Sequence, residues 1–168
     1  ISRMRICAVT CLFEPVSRTL VSADALWENG YGLVFPELFG EPSFDEVGAT
    51  LDLIESLGPA TVVPGHGSVF TDVAGALATA RRRLAGYRAD PKRHATHAGK
   101  VLLKFKLLEL QSLPAKELEM WASRTPYFPM VFARYFGDGP LSGWLRSLVA
   151  SLVESGAARF DGNCVANA

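Results

Sequence analysis

A single histidine held between two glycines is the first residue with a candidate chemical role. His66 follows the β-branched run of residues 61–63 through a Pro-Gly turn and is followed by Gly67. The run predicts a buried strand, and residues at the carboxyl ends of such strands often form the sites of α/β proteins. Neutral imidazole is a good ligand for Zn²⁺. On its own, His66 is interpreted equally well as a metal ligand or as an ordinary loop residue.

Asp24 is the second candidate, because it falls at the end of a strand predicted over residues 19–23. A carboxylate that emerges from a buried strand is costly unless it is paired, caps a turn or binds a metal. Taken alone, Asp24 is open to interpretation as the cap of the next turn or as a metal ligand.

The elements that would position these two residues follow from the hydrophobic pattern. Residues 5–13 and 19–23 predict a hairpin, and residues 30–42 predict an ordered loop. Ser43 and Glu46 have the spacing of a capping box at the start of a helix that ends at Gly58-Pro59. A strand over residues 60–63 then leads to His66, and Thr71 or Asp72 caps a further helix.

The composition changes near Asp90, where we predict a domain boundary between residues 1–90 and 91–168. Asp90-Pro91 has the pattern of a helix start. Helices follow, separated by breaks at residues 112–114 and 137–140. Two short runs about Asp161-Gly162 predict a terminal hairpin. Several helices followed by a hairpin give the outline of a winged-helix domain.

Two motifs resemble a known family. Ser22-Ala23-Asp24-Ala25-Leu26 and Val63-Pro64-Gly65-His66-Gly67 are similar to the last two metal-ligand motifs of the metallo-β-lactamase-fold hydrolases. The nearest subgroup carries a C-terminal winged-helix-like domain. The resemblance implies an α/β fold class: the second half of a metallo-β-lactamase αββα sandwich, followed by a mostly helical winged-helix-like domain.

The resemblance also implies a site. In the family two Zn²⁺ ions are bound, the aspartate bridges them and the last histidine binds the second, and Asp24 and His66 are the matching positions. Trp27, Glu28 and Tyr31 become candidate walls of a substrate pocket. The substrate would be a small ester, thioester or lactam, or a phosphodiester. No catalytic residue is assignable.

The sequence departs from the family in its upstream ligands. The HxHxDH motif and a later histidine precede the aspartate in the family, but none of the three histidines of this chain precedes Asp24. We therefore expect the first half of the fold to be absent, zinc to be bound weakly and hydrolase activity to be low. We also expect the exposed sheet face to favour self-association.

Other classes of function are less favoured. The 17 basic and 17 acidic residues balance, which gives no reason to expect a general nucleic-acid or anionic-membrane binder. No apolar run of roughly 18 residues predicts a membrane span. Cys7, Cys11 and Cys164 form no CxxC pair, which favours reduced thiols and a cytoplasmic location.

The alternative to the enzyme is a non-catalytic interaction module, or a weak nucleic-acid binder, that uses the winged-helix-like domain. A basic strip is diluted by Glu109 and Glu117, which disfavours nucleic-acid binding; its members are Lys92, Arg93, Lys100, Lys104 and Lys106. His94 and His97 lie one helical turn apart, and we interpret them as a surface pair rather than as metal ligands.

Overall fold

The computed structural model describes residues 2–6 and 9–168, with side chains from residue 10 onward. Cys7 lies outside the described residues. In the described part the chain is mixed α/β, with seven helices and two small sheets. It divides into two compact units, Ile1–Ala89 and Asp90–Ala168.

The first unit combines a four-stranded sheet with three helices. In chain order the elements are β1 (Ser2–Ile6), β2 (Val9–Glu14), β3 (Thr19–Ala23), α1 (Phe35–Leu38), α2 (Ser43–Leu57), β4 (Thr61–Pro64) and α3 (Val73–Ala89). The strand order is β1-β2-β3-β4. β1 and β2 pair antiparallel, as do β2 and β3, whereas β3 and β4 are parallel. The carboxyl ends of β3 and β4 therefore meet at one edge of the sheet.

The strand register gives the sheet two different faces. Leu20 lies opposite Phe13 on β2 and Val62 on β4, and Leu20 and Val62 are fully buried against the helices. On the other face Leu12 lies opposite Val21, and these side chains are 40% and 42% exposed. Self-association through this apolar face stays a prediction.

Three local predictions for this unit are wrong. Residues 5–13 do not form one strand, because β1 and β2 pair with Ile6 opposite Val9. The short helix α1 lies within the predicted loop. The predicted capping box at Ser43 is absent, since Ser43 is the buried first residue of α2 and the cap position belongs to Pro42, which makes no side-chain hydrogen bond. The carboxylate of Glu37 instead accepts a hydrogen bond of 2.9 Å from the backbone N–H of Phe44.

The second unit is mostly helical. Its elements are α4 (Pro91–Leu110), β5 (Ser112–Pro114), α5 (Ala115–Arg124), α6 (Tyr127–Tyr135), α7 (Leu141–Glu154), β6 (Ala158–Asp161) and β7 (Cys164–Asn167). Its sheet has the order β5-β7-β6, with both pairings antiparallel. The Asp90 cap of α4 is confirmed, because its carboxylate accepts from the backbone N–H of Arg93 at 3.3 Å. The terminal hairpin β6–β7 is also confirmed.

The interpretation of His94 as a surface residue is wrong. His94 is 1% exposed, because it lies on the inner side of α4 with Ala95 and Ala98, which are fully buried. His97 is half-buried. The two imidazoles therefore do not form a surface pair.

Three lysines of the predicted basic strip have partners inside the second unit. The ammonium of Lys100 donates to Ser151 Oγ at 3.2 Å, and that of Lys104 donates to the carbonyl of Ala157 at 2.6 Å. Lys106 forms an ion pair of 2.9 Å with the carboxylate of Glu109. The strip is therefore engaged in part in holding α4 against its neighbours.

Across the described residues, every helix is too short or too polar to span a membrane.

Candidate metal centre

Asp24 and His66 converge at the edge where β3 and β4 end. Asp24 directly follows β3, and His66 stands two residues beyond β4. The distance from His66 Nε2 to Asp24 Oδ1 is 3.8 Å, and the two side chains are 72% and 53% exposed. This is too long for a direct hydrogen bond. Two zinc–ligand bonds of about 2.0 Å at the tetrahedral angle place the ligand atoms about 3.3 Å apart, so the two exposed side chains would need to close by about 0.5 Å to share a metal ion.

The carbonyl of Ala23 connects the two loops. β3 is irregular between Val21 and Ala23, and Ala23 has a φ of +46°, a left-handed conformation that is unusual for alanine. Its carbonyl oxygen accepts from the backbone N–H of Gly65 at 2.8 Å and from Trp27 Nε1 at 3.0 Å. The turn that leads to His66 is thus hydrogen-bonded to the residue before Asp24.

Two glycines let backbone approach Asp24 closely. A Cβ on Gly32 would lie 2.7 Å from the Cβ of Asp24, and one on Gly65 would lie 3.1 Å from Asp24 Oδ1 and 3.0 Å from the carbonyl carbon of Ala23. The backbone N–H of Gly32 also donates to the carbonyl of Asp24 at 2.8 Å. Asp24 is therefore held between two segments that tolerate no added side chain without movement.

The three predicted pocket residues have different surroundings. The Trp27 ring meets the His66 ring edge to face, with centroids 5.1 Å apart and planes at 83°. Glu28 is exposed and lies in a turn. Backbone pairing of Trp27 with Gly30 closes this turn. Tyr31 is only 2% exposed, and burial raises its pKa to about 12. The structure brings Trp27 to the candidate centre, but it buries Tyr31 in the core.

Arg83 contacts the buried Tyr31. Its guanidinium carbon lies 5.3 Å from the centroid of the Tyr31 ring, and its Nη1 donates to the Tyr31 carbonyl at 3.3 Å. The positive charge over the ring partly offsets the effect of burial on the phenol. This contact fixes the segment whose next residue, Gly32, lies against Asp24.

The donor set at the centre is incomplete. Within residues 10–168, whose side chains are described, no group of three or more His, Cys, Asp and Glu side chains could hold a metal ion. Structural zinc sites normally have four protein ligands, and catalytic sites have three and a water. The pair could contribute two protein ligands to an ion and leave its other positions to water or further ligands.

The sequence pattern did not indicate the contributions of Ala23 and Gly32. Gly32 belongs to a Gly-x-Gly segment with Gly30, and such a segment before an aromatic loop is a weak indication of close backbone approach. The conformation of Ala23 has no signal in the sequence, because alanine rarely adopts a positive φ.

No family model and no curated protein matches the chain. Among solved structures, the chain is similar to a metallo-beta-lactamase family protein from Thermus thermophilus, with 19% sequence identity and a TM-score of 0.38. The match covers 95% of this chain and 45% of that one, so the chain spans less than half of that protein's length.

Proposed function

We propose that Asp24 and His66 belong to the metal centre of a metal-dependent hydrolase of the metallo-β-lactamase fold. One observation carries the proposal: a carboxylate oxygen and an imidazole nitrogen lie 3.8 Å apart at the ends of neighbouring parallel strands. Both side chains are open to solvent, so a metal ion and a substrate can reach them. If Asp24 and His66 were paired only for structural reasons, the pair would add little to the stability of the fold, because exposed charge pairs contribute little to stability.

Asp24, His66 and Trp27 would have different roles in the proposed centre. Asp24 would supply a carboxylate that two ions can share, and His66 would supply a neutral imidazole to one of them. A bound Zn²⁺ lowers the pKa of a water ligand and polarises a carbonyl or phosphoryl oxygen. The Trp27 ring restricts the orientation of His66 and forms one apolar side of the space above it. The substrate class is a small ester, thioester or lactam, or a phosphodiester.

The chain by itself is expected to be a weak zinc binder with low hydrolase activity. Two protein ligands lie together where three or four are usual. Since a protein ligand that is held in place contributes to the affinity for the metal, a two-ligand site is weaker than a complete one. Full activity would therefore need further ligands in addition to Asp24 and His66.

We propose that the first unit is the second half of an αββα sandwich and that the second unit is a winged-helix-like domain. The mixed sheet, with one apolar face covered by helices and Leu12 and Val21 exposed on the other, supports the first assignment. The second assignment is supported by β5, which follows α4 and pairs with β7, the last strand of the terminal hairpin. The boundary between the two is proposed near Asp90.

The alternative function is a non-catalytic interaction module built on the second unit. It is favoured by large apolar side chains that are exposed in this unit: Phe105, Leu108, Leu110, Met120 and Phe160. Scattered exposed apolar residues are common on proteins, and only a contiguous patch would indicate a partner. Binding through this unit would not require Asp24 or His66.

Paramagnetic mapping tests where the metal binds. Substoichiometric Mn²⁺ should broaden the backbone amide signals of residues 24–27 and 65–67 first, because the ion would sit between Asp24 and His66. Asp24→Ala and His66→Ala should each reduce this broadening, whereas Glu41→Gln, at an exposed carboxylate outside the site, should not. Broadening centred on another part of the chain, or unchanged in both variants, would contradict the proposal.

A further inference from the structure

The second unit contains a cavity of about 320 Å³ that the proposed hydrolase centre does not involve. Its wall is largely apolar and reaches the core, because it includes Leu103, Leu118, Leu145 and Val165, each at most 1% exposed. Phe160, which is 57% exposed, lies on the solvent side of the lining. Concave, mostly apolar cavities of this size with a few charged groups are typical of small-molecule sites.

Three charged side chains line the cavity: Lys116, Glu119 and Arg146. The carboxylate of Glu119 lies 3.6 Å from the guanidinium of Arg146, so these two charges are matched to each other. In the described part of the chain, no carboxylate lies within ion-pairing distance of the Lys116 ammonium. The polar part of the cavity therefore has a net charge of +1, located on Lys116.

The position of Lys116 adds to this charge. Lys116 is the second residue of α5, and the amino-terminal end of a helix carries a partial positive charge from its aligned peptide dipoles. Glu117 lies in the same turn, but it does not line the cavity. An anionic group beside Lys116 would thus meet both a free ammonium and the positive end of a helix.

We propose that this cavity binds a free medium-chain alkyl carboxylate. The apolar wall would cover the aliphatic chain, and burying apolar area would provide most of the affinity. The carboxylate would lie against Lys116 at the first turn of α5. A ligand with a neutral end would contact the apolar wall alone, and a ligand with a cationic end would be repelled by Lys116. The site therefore selects for a ligand with an anionic end.

Methyl NMR on the full chain, with decanoate as the probe, tests the proposal. Below its micelle concentration, decanoate should produce saturable shifts of the methyl signals of Leu103, Leu145 and Val165. Decanol should bind more weakly, and decyltrimethylammonium more weakly still. Val149→Trp, at a half-buried lining position, should fill the cavity and abolish the shifts. The retained spectrum outside the cavity would show that this variant is folded.

A matched pair of lysine variants isolates the charge. Lys116→Gln should lower the affinity for decanoate by up to about fivefold, the upper end of the range for an exposed charge pair, and should leave the affinity for decanol unchanged. Lys92→Gln, at an exposed lysine outside the cavity, should change neither. Equal binding of decanoate and decanol, equal effects of the two substitutions, or binding only to phosphatidylglycerol vesicles would overturn the proposal.

Discussion

The Nε2 atom of His66 lies 3.8 Å from the Oδ1 atom of Asp24, although the two residues are 42 positions apart in the sequence. Parallel pairing of β3 with β4 brings their carboxyl ends to one edge. Hydrogen bonds to the carbonyl of Ala23 then hold the histidine turn and the Trp27 side chain in place. The pair thus lies in an ordered setting, and the loops around it give specific tests.

Gly65→Ala should disturb the centre directly. The added Cβ would lie 3.0 Å from the carbonyl carbon of Ala23 and 3.1 Å from Asp24 Oδ1. We expect a loss of about 1–3 kcal/mol in the free energy of opening of the β3–β4 amides, measured by hydrogen exchange, because the carbonyl group of Ala23 is backbone and cannot easily move away. Gly143→Ala is the control, since its Cβ meets only Pro140 Cγ at 3.6 Å. It should stabilise α7 by up to about 1 kcal/mol.

Trp27→Leu should weaken zinc binding without removing a ligand. It loses the hydrogen bond to the Ala23 carbonyl and the ring contact with His66, each of which is typically worth about 0.5–1.5 kcal/mol. We expect the zinc dissociation constant, measured by calorimetry, to rise severalfold but by less than in His66→Ala. Trp27→Phe keeps an aromatic ring and should fall between the wild type and Trp27→Leu. Wild-type affinity in Trp27→Leu would show that Trp27 does not orient His66.

Tyr31→Phe should stabilise the first unit. In the part of the chain that the structure describes, the buried Tyr31 hydroxyl has no hydrogen-bond partner. Removing an unsatisfied buried hydroxyl should raise the free energy of unfolding by about 1 kcal/mol in denaturant titrations. Tyr87→Phe is the matched control, because its hydroxyl accepts from Arg83 Nε at 3.1 Å, and it should lose about 0.5–1.5 kcal/mol. A loss in Tyr31→Phe would reveal a partner for the hydroxyl.

Ionisation of the same tyrosine should lower the free energy of unfolding at alkaline pH. Burial raises the pKa of Tyr31 to about 12, whereas in the unfolded chain it is about 10. Between these values the unfolded state loses the proton first, so stability is complete below pH 10 and falls as the pH approaches 12. The slope should be about 1.4 kcal/mol per pH unit for this group, and burial raises the pKa of Tyr127 as well. Tyr31→Phe should flatten the decline when unfolding is measured from pH 9 to 11.

The sequence predicted the elements whose patterns are regular and local. The apolar stripe of α2 and the β-branched run of β4 each lead to the observed element. The Glu37 cap of α2 was missed, because its carboxylate reaches Phe44 from a separate helix. The predictions of Asp24 and His66 came from residue types at strand ends. The distance between the side chains of these two residues depends on the irregularity of β3 and the positive φ of Ala23, which result from tertiary contacts.

Burial was the property that the sequence predicted least well. Tyr31 was a candidate pocket wall together with Trp27 and Glu28, yet it packs under Arg83 in the core. His94 was interpreted as part of a surface pair because no third metal ligand was evident near it, but the inner side of α4 begins with it. A residue near the start of a helix can face either way, and the packing partners that decide are distant in sequence.

A zinc titration of the full chain by isothermal calorimetry tests the central claim most directly. The account predicts weak binding of a single ion, an affinity well below that of complete three- or four-ligand sites, and loss of this binding in both Asp24→Ala and His66→Ala. Glu41→Gln should match the wild type. A tight, stoichiometric site for two ions, or wild-type binding in both variants, would contradict it.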